Sequence, residues 1–201
     1  MDVDRRVLFF GDSIVAGVGD PEGRGWVGRV VEASFAARLP LTAYNLGVRR
    51  ETSEEVAERW RGEAEPRMRI EARYAVVFAF GVNDTTLEEG RLRVMQNRST
   101  RALGRCLDDA AELGLRALVV GPPPVSDPEQ RSRVAALSSA YAQLAAGRGV
   151  PFIGVAGDLS ANPEYTADLE AGDGAHPGAD GYSALARLLL AGGWLSWLKD
   201  V

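Results

Sequence analysis

The sequence predicts an α/β fold: a three-layer α/β/α sandwich around a five-stranded parallel sheet, with residues 1–201 forming a single domain. Three observations carry this reading. Five short apolar runs, most of them bounded by glycine or proline, alternate with stretches of helical period. The apolar residues within the runs are consecutive rather than alternating, as in strands covered on both faces. The chain also shows no repeat, linker or low-complexity run, and 201 residues with 46% hydrophobic content suit one full core. Right-handed crossovers make 2-1-3-4-5 the natural order of the strands.

The first strand is Val7-Leu-Phe-Phe10, ended by Gly11 and followed at once by Asp12 and Ser13. The glycine-rich stretch Gly17–Gly25 lacks the spacing of a dinucleotide fingerprint and is interrupted by Pro21, so a mobile loop beside a site is expected. Trp26 to Arg38 has helical period, with Val27, Val30, Val31 and Phe35 on the apolar face and Pro40 just beyond. Leu41–Leu46 is a second strand, ended by Gly47. Thr52-Ser-Glu-Glu55 has capping-box spacing and opens a charged helix to about Gly62. Tyr74–Phe80 is the third strand, ended by Gly81. A looser segment, Thr85–Val94, leads into a helix over Asn97–Leu113. Leu115–Val120 is the fourth strand, and Gly121-Pro-Pro-Pro124 forces an extended exit. Asp127-Pro128 starts a helix that reaches about Ala146, and Val150–Gly154 is the fifth strand. Asp158–Gly172 reads as loop with a helical turn, and the last helix begins at Gly178 or Asp180.

Composition removes several functions. A net charge of −5 supplies neither a basic field for nucleic acid nor a polybasic membrane anchor. Every basic residue except Lys199 is arginine, which leaves no P-loop lysine, Schiff-base lysine or well-placed Ser-Lys dyad. The single cysteine, Cys106, excludes an intrachain disulfide and a thiolate metal cluster, and its mid-helix place reads as a buried inert thiol. The single histidine, His176, excludes any site that needs two imidazoles. Met-Asp-Val-Asp-Arg-Arg at the start holds no apolar signal region. The late apolar stretch Ala184–Leu198 contains Arg187 and Gly192-Gly193 and is too short for a bilayer. A cytoplasmic protein without stable membrane insertion is expected.

In a parallel sheet the carboxyl ends of all strands share one edge, where open α/β sheets bind ligands. That edge receives Ser13, Gly47 and Asn83 from three strands, while Asp173 and His176 precede the last helix, three residues apart. These residue types suit acyl transfer. A serine hydroxyl needs a base, which His176 Nε2 supplies, and a carboxylate three residues earlier can hold Nδ1. An oxyanion needs preorganised donors, for which the Ser13 and Gly47 N–H groups and the Asn83 amide are candidates. Each residue also has a plainer reading. Ser13 or Asp173 would cap a helix, and Asn83 would be a turn residue. Asp12 and Asp84 are expected to accept from nearby backbone N–H groups. Arg49 and Arg50 read as a solvated surface pair, with contact to an anionic substrate as the alternative.

Gly11-Asp12-Ser13-Ile14, Gly47, Gly81-Val82-Asn83-Asp84 and Asp173-Gly-Ala-His176-Pro177 resemble, in order and spacing, the four sequence blocks of the SGNH (GDSL) hydrolase family. The likeness covers essentially the whole chain, and Ile14 in place of Leu is a conservative departure. The resemblance implies a flavodoxin-like fold and hydrolysis of a small-molecule ester without metal or other cofactor. It also implies Ser13 as nucleophile and oxyanion donor, Gly47 and Asn83 completing the oxyanion hole, Asp173 as orienting carboxylate and His176 as base. A short-chain carboxylic ester is the expected substrate; thioesterase, lysophospholipase or carbohydrate acetylesterase activity is the alternative. The rival from another class is a flavodoxin-like binding or signalling module. Against it, Lys199 is badly placed for a receiver site, and a flavin module leaves the Ser/His/Asp pattern unexplained.

Overall fold

A computed structural model describes residues 3–68 and 71–201; Met1 and Asp2 of the charged opening segment lie outside the described residues. β1 (Arg5–Gly11) leads into a single turn, α1 (Ser13–Ala16), and then into α2 (Gly25–Ala36). β2 (Thr42–Gly47), α3 (Ser53–Ala64) and β3 (Arg73–Ala79) follow. After a 3₁₀ turn at Asn83–Thr85 comes a small hairpin of β4 (Leu87–Glu88) and β5 (Arg91–Leu92), then α4 (Gln96–Glu112) and β6 (Arg116–Val120). α5 (Pro128–Gly147), β7 (Phe152–Ile153), α6 (Ala156–Ser160), α7 (Pro163–Ala171), α8 (Ala179–Ala191) and α9 (Trp194–Lys199) complete the order.

The main sheet runs β2-β1-β3-β6-β7 with every pair parallel, the 2-1-3-4-5 order expected from the sequence. Its inner strands β1 and β3 read as continuous apolar runs because helices cover both faces. On β1, Val7 and Phe9 enter one core with Trp26, Val30, Tyr165, Tyr182 and Trp194. Leu8 and Phe10 enter the other with Trp60, Phe78, Leu103 and Tyr141. All four β1 side chains are fully buried, each contributing about 1.5–3 kcal/mol of apolar transfer. This anchors the strand whose carboxyl end carries Ser13.

The helix signals hold where they are local. Thr52 and Glu55 form the reciprocal capping box, and the Asp127 side chain accepts from the Gln130 N–H with Pro128 in the first turn of α5. Four readings need correction. Asp158–Gly172 is mostly helical: Asn162 caps α7, Pro163 opens it, and Tyr165 and Leu169 bury one face. Within Thr85–Val94 the chain forms the β4–β5 hairpin, turning at Glu89 (φ 51°) and Gly90 (φ 76°). α2 stops at Ala36, and Phe35 is 56% exposed because the buried stripe of that helix is Trp26, Val27 and Val30. Gly17–Gly25, expected to be mobile, is tied down by Asp20, whose carboxylate accepts from the N–H groups of Glu22, Arg24 and Gly25. Beyond α8, α9 buries Trp194 and Trp197 against the sheet. No helix among the described residues is long and apolar enough to cross a membrane.

Candidate active site

At the carboxyl end of β1, Asp12 turns the chain. Its Oδ1 accepts from Ile14 N at 2.9 Å and caps α1. Asp12 therefore satisfies the helix end that Ser13 would otherwise serve, and Ser13 becomes the first residue of that turn. Its hydroxyl is left available for a side-chain partner.

That partner comes from the segment between α7 and α8. Asp173 Oδ1 accepts from the N–H groups of Ala175 and His176, both at 2.9 Å, which folds the tetrapeptide back on itself. The same carboxylate places Oδ2 2.7 Å from His176 Nδ1, and His176 Nε2 lies 2.8 Å from Ser13 Oγ. With its proton on Nδ1, directed at the carboxylate, the imidazole turns the Nε2 lone pair toward the serine hydroxyl. This line of three groups can remove the proton from Ser13 as its oxygen attacks an electrophilic carbon. Ser13, Asp173 and His176 are thus brought together.

Asn83 opens the 3₁₀ turn beyond β3, and its Nδ2 donates one hydrogen to Glu51 O at 2.9 Å. Its second amide hydrogen remains for another acceptor. Gly47 departs from expectation. Its N–H donates to Asn45 Oδ1 at 3.1 Å, while Asn45 Nδ2 donates to Val15 O at 2.7 Å. The physical reason is a competing acceptor two residues earlier on the same strand. Gly47 instead permits close approach: a Cβ there would lie 2.4 Å from Ala16 N and 2.7 Å from Asp12 O. It lets β2 reach the turn that carries Ser13.

The neighbouring turn Val48–Glu51, closed by Glu51 N to Val48 O at 3.4 Å, holds Arg50 at φ 67°. Non-glycine residues seldom adopt that conformation, and such residues gather at functional sites. The Arg50 side chain is exposed and paired with Glu88, and Arg49 is exposed, as expected of a solvated pair.

Arg59 on α3 was not legible as a site residue. Its guanidinium donates to Leu46 O at 2.8 Å and to Gly11 O at 3.4 Å while pairing with Glu51, so it binds the ends of β1 and β2 to the Glu51 turn. The capping box reveals that helix in the sequence but not which of its arginines faces the sheet edge.

The electrostatics separate the carboxyl groups. Burial alone would raise the Asp173 carboxyl, but the His176 ring and the N–H groups of His176 and Ala175 outweigh it and hold it at about 2. Asp173 is therefore ionised beside the imidazole. Asp12 goes the other way: full burial, opposed in part by the Ile14 N–H, pushes it up to about 7, with the Asp84 charge adding to the rise. Asp84 is likewise raised by burial, and its Oδ1 accepts from Ser53 N at 2.8 Å. Both Asp12 and Asp84 accept from backbone N–H groups, as expected of them. A solvent-open cleft of about 560 Å³ borders the site on the His176 side, lined by Val18, Gly19, Pro21, Asp173 and His176 among others.

The family model described as GDSL-like Lipase/Acylhydrolase matches residues 9–184. No curated protein matches the chain by sequence. Among solved structures, the lipase/acylhydrolase from Enterococcus faecalis is similar, with a TM-score of 0.74 and 24% identity over 94% of this chain and 95% of that one. Axe2, an acetylxylan esterase from Geobacillus stearothermophilus, has a TM-score of 0.77 and 20% identity over 98% of each chain. LAE5, an α/β hydrolase enzyme from the metagenome of Lake Arreo, Spain, has a TM-score of 0.79 and 21% identity over 97% of each. At such identities these likenesses speak for the fold.

Proposed function

The chain belongs to the GDSL-like lipase/acylhydrolase family and is a serine ester hydrolase, and from that premise we propose that it cleaves short-chain carboxylic esters through an acyl-enzyme on Ser13. The observation that carries the residue roles is the hydrogen-bonded line Ser13 Oγ, His176 Nε2, His176 Nδ1 and Asp173 Oδ2.

In the first half-reaction Ser13 Oγ attacks the acyl carbon while its proton passes to His176 Nε2. The carbonyl electron pair moves onto oxygen, giving a tetrahedral oxyanion. The Ser13 N–H, at the start of α1, and the free Asn83 amide hydrogen are the proposed oxyanion donors. Gly47 is left out because its N–H is engaged by Asn45. Collapse of the intermediate breaks the bond to the leaving oxygen, which takes the proton from His176. Water then attacks the acyl-enzyme with His176 as base, and Ser13 recovers its proton as the acid departs. Asp173 stays ionised throughout and stabilises the imidazolium in both halves.

Short acyl groups from acetyl to about hexanoyl are the proposed substrates, because the described segments around Ser13 are short and carry no long apolar lid. An acetylated carbohydrate is a second reading, favoured by the shared fold with Axe2, itself named an acetylxylan esterase. The test is Ser13→Ala together with phosphonate labelling. The variant should keep its fold and lose roughly 10³-fold or more of p-nitrophenyl acetate turnover, with the label on Ser13 in the native protein. Wild-type turnover in Ser13→Ala, or labelling elsewhere, overturns the assignment. A panel of acetylated sugars, lysophospholipids, acyl-CoA and p-nitrophenyl esters then ranks the leaving groups.

A further inference from the structure

Arg29 lies on α2, remote in sequence from both Ser13 and His176, yet its side chain is 8% exposed and the Asp20 carboxylate it meets is fully buried. Its guanidinium is satisfied on every nitrogen. Nη1 donates to Asp20 Oδ2 at 2.5 Å and to Gly25 O at 2.8 Å. Nη2 donates to Ala179 O at 3.2 Å and Glu22 Oε2 at 3.0 Å, and Nε donates to Ser183 Oγ at 3.0 Å. A planar fork of five N–H groups suits such a junction, because it can hold several acceptors in fixed directions.

The acceptors belong to two segments that matter for the reaction. Asp20 and Glu22 lie in the loop that leaves α1, the turn beginning with Ser13, and Gly25 opens α2 itself. Ala179 and Ser183 lie in the first turns of α8, which begins three residues after His176. Between the two, the loop packs against the His176 Cβ and the Pro177 backbone. Gly19 sits at φ 91°, and a Cβ on it would lie 3.0 Å from His176 Cβ and 2.8 Å from Pro177 O. Tyr182 Oη, also on α8, donates to Val18 O at 2.8 Å and adds a second tie between the same segments.

We propose that Arg29, clasped to Asp20 and to the start of α8, is a positioning residue that sets the Ser13–His176 separation by locking the Gly17–Gly25 loop against the His176 segment. This rests on the reading of His176 as the base. Ion pairing holds the Asp20 carboxylate ready for the role: burial raises it, but Arg29 and the loop N–H groups bring it down to about 2. The clasp makes no contact with the reacting atoms. Its loss should therefore spoil the geometry of proton transfer more than the binding of ester at Ser13. Misplacement of a catalytic group by about 1 Å can cost on the order of 10²-fold in rate.

The test uses the full chain with Asp20→Asn/Arg29→Met, which removes both charges together, and Arg29→Lys, which keeps the pair but cannot span Ala179 O and Ser183 Oγ at once. His176→Ala serves as reference. The double variant should lose roughly 10- to 100-fold in kcat with KM changed by less than about threefold, and the lone imidazole NMR signal should shift or broaden. Arg29→Lys should recover part of both readouts. Should the double variant fail to fold by circular dichroism, Arg29→Lys alone decides, with a several-fold kcat loss and a moved imidazole signal expected. If His176→Ala is inactive but folded Arg29 variants keep wild-type kcat and an unmoved imidazole, the clasp proposal is overturned. If His176→Ala itself turns over ester normally, the underlying assignment of the base fails instead.

Discussion

Replacing Asp12 by asparagine should change how stability depends on pH, and the structure gives the size of the change. In the folded protein burial holds the Asp12 carboxyl at about 7, against 3.8 for an ordinary aspartate. Below pH 4 the group is protonated in both states and costs nothing. Between about 4 and 7 the unfolded chain releases the proton while the folded one keeps it. The native state then binds more protons, and stability falls as pH rises. About three pH units at about 1.4 kcal/mol each give a loss of about 4 kcal/mol by pH 7, after which the contribution is constant. Asparagine keeps an oxygen for the Ile14 N–H cap but has no proton to release. Urea titrations followed by tryptophan fluorescence at intervals from pH 4.5 to 7.5 measure both proteins. The wild-type curve should descend relative to the variant curve by up to about 4 kcal/mol over that range. Groups remote from Asp12 are present in both chains and cancel in the difference, whereas Asp84, whose charge adds to the Asp12 rise, is relieved of that repulsion in the variant. Curves parallel to within about 1 kcal/mol would refute the reasoning, because they would mean that Asp12 ionises in the folded state as easily as in water.

Other outcomes follow from the site. Asp173→Asn should lower kcat by roughly 10⁴-fold and move the single imidazole resonance, and an unchanged rate and resonance would separate Asp173 from His176. Because the Asp173 carboxyl is held at about 2, its stabilising contribution should be fully present above about pH 4 and lost only as pH falls toward 2, as the acid side of an unfolding curve would show. Asn83→Ala should reduce kcat by about 10²–10³ with a smaller change in KM, whereas a pure KM effect would make Asn83 a binding residue. Across p-nitrophenyl esters, kcat/KM should decline beyond hexanoyl, and a steady rise through dodecanoyl would show an acyl channel. Gly47→Ala should abolish activity through displacement of α1, since its Cβ would meet the Ala16 and Asp12 backbone, and a fully active variant would contradict that packing.

Most of this fold is written locally. β1 and β3 are legible because each is a consecutive apolar run, and two-sided burial, as of Val7 to Phe10, is the cause of that pattern; the edge strand β2 (Thr42–Gly47) is marked instead by its closing glycine. The α3 and α5 starts are legible because their caps are chemistry within three residues. The misses arise where burial is decided from afar. α7 shows only Tyr165 and Leu169 to the core, too sparse a stripe to outweigh a loop-like composition, although Asn162-Pro163 does mark its start. Phe35 has the right spacing but lies outside the stripe of Trp26, Val27 and Val30 that α2 buries. Ser13, Asp173 and His176 are legible as a set because the parallel sheet sends every strand end to one edge. The direction of a single N–H is not: Gly47 points at Asn45 for reasons of strand geometry that spacing does not encode. Asp20 reads as an ordinary loop charge until Arg29, nine residues on, closes over it.

The two halves of the Ser13–His176 hydrogen bond are separated by 163 residues, and the bond has a bearing on how the protein is made. β1 is made before the other described strands, and both of its sheet neighbours, β2 and β3, emerge soon after it. Half the sheet can therefore assemble while the histidine is still unsynthesised. A nascent chain arrested before α8 clears the exit tunnel would hold an ordered serine turn and no turnover. With His176 as the proposed base, hydrolysis is expected only when the distal segment docks across the sheet edge. On that proposal the appearance of esterase activity should time the docking of the His176 segment, and spectroscopic signals from the early strands should run ahead of it.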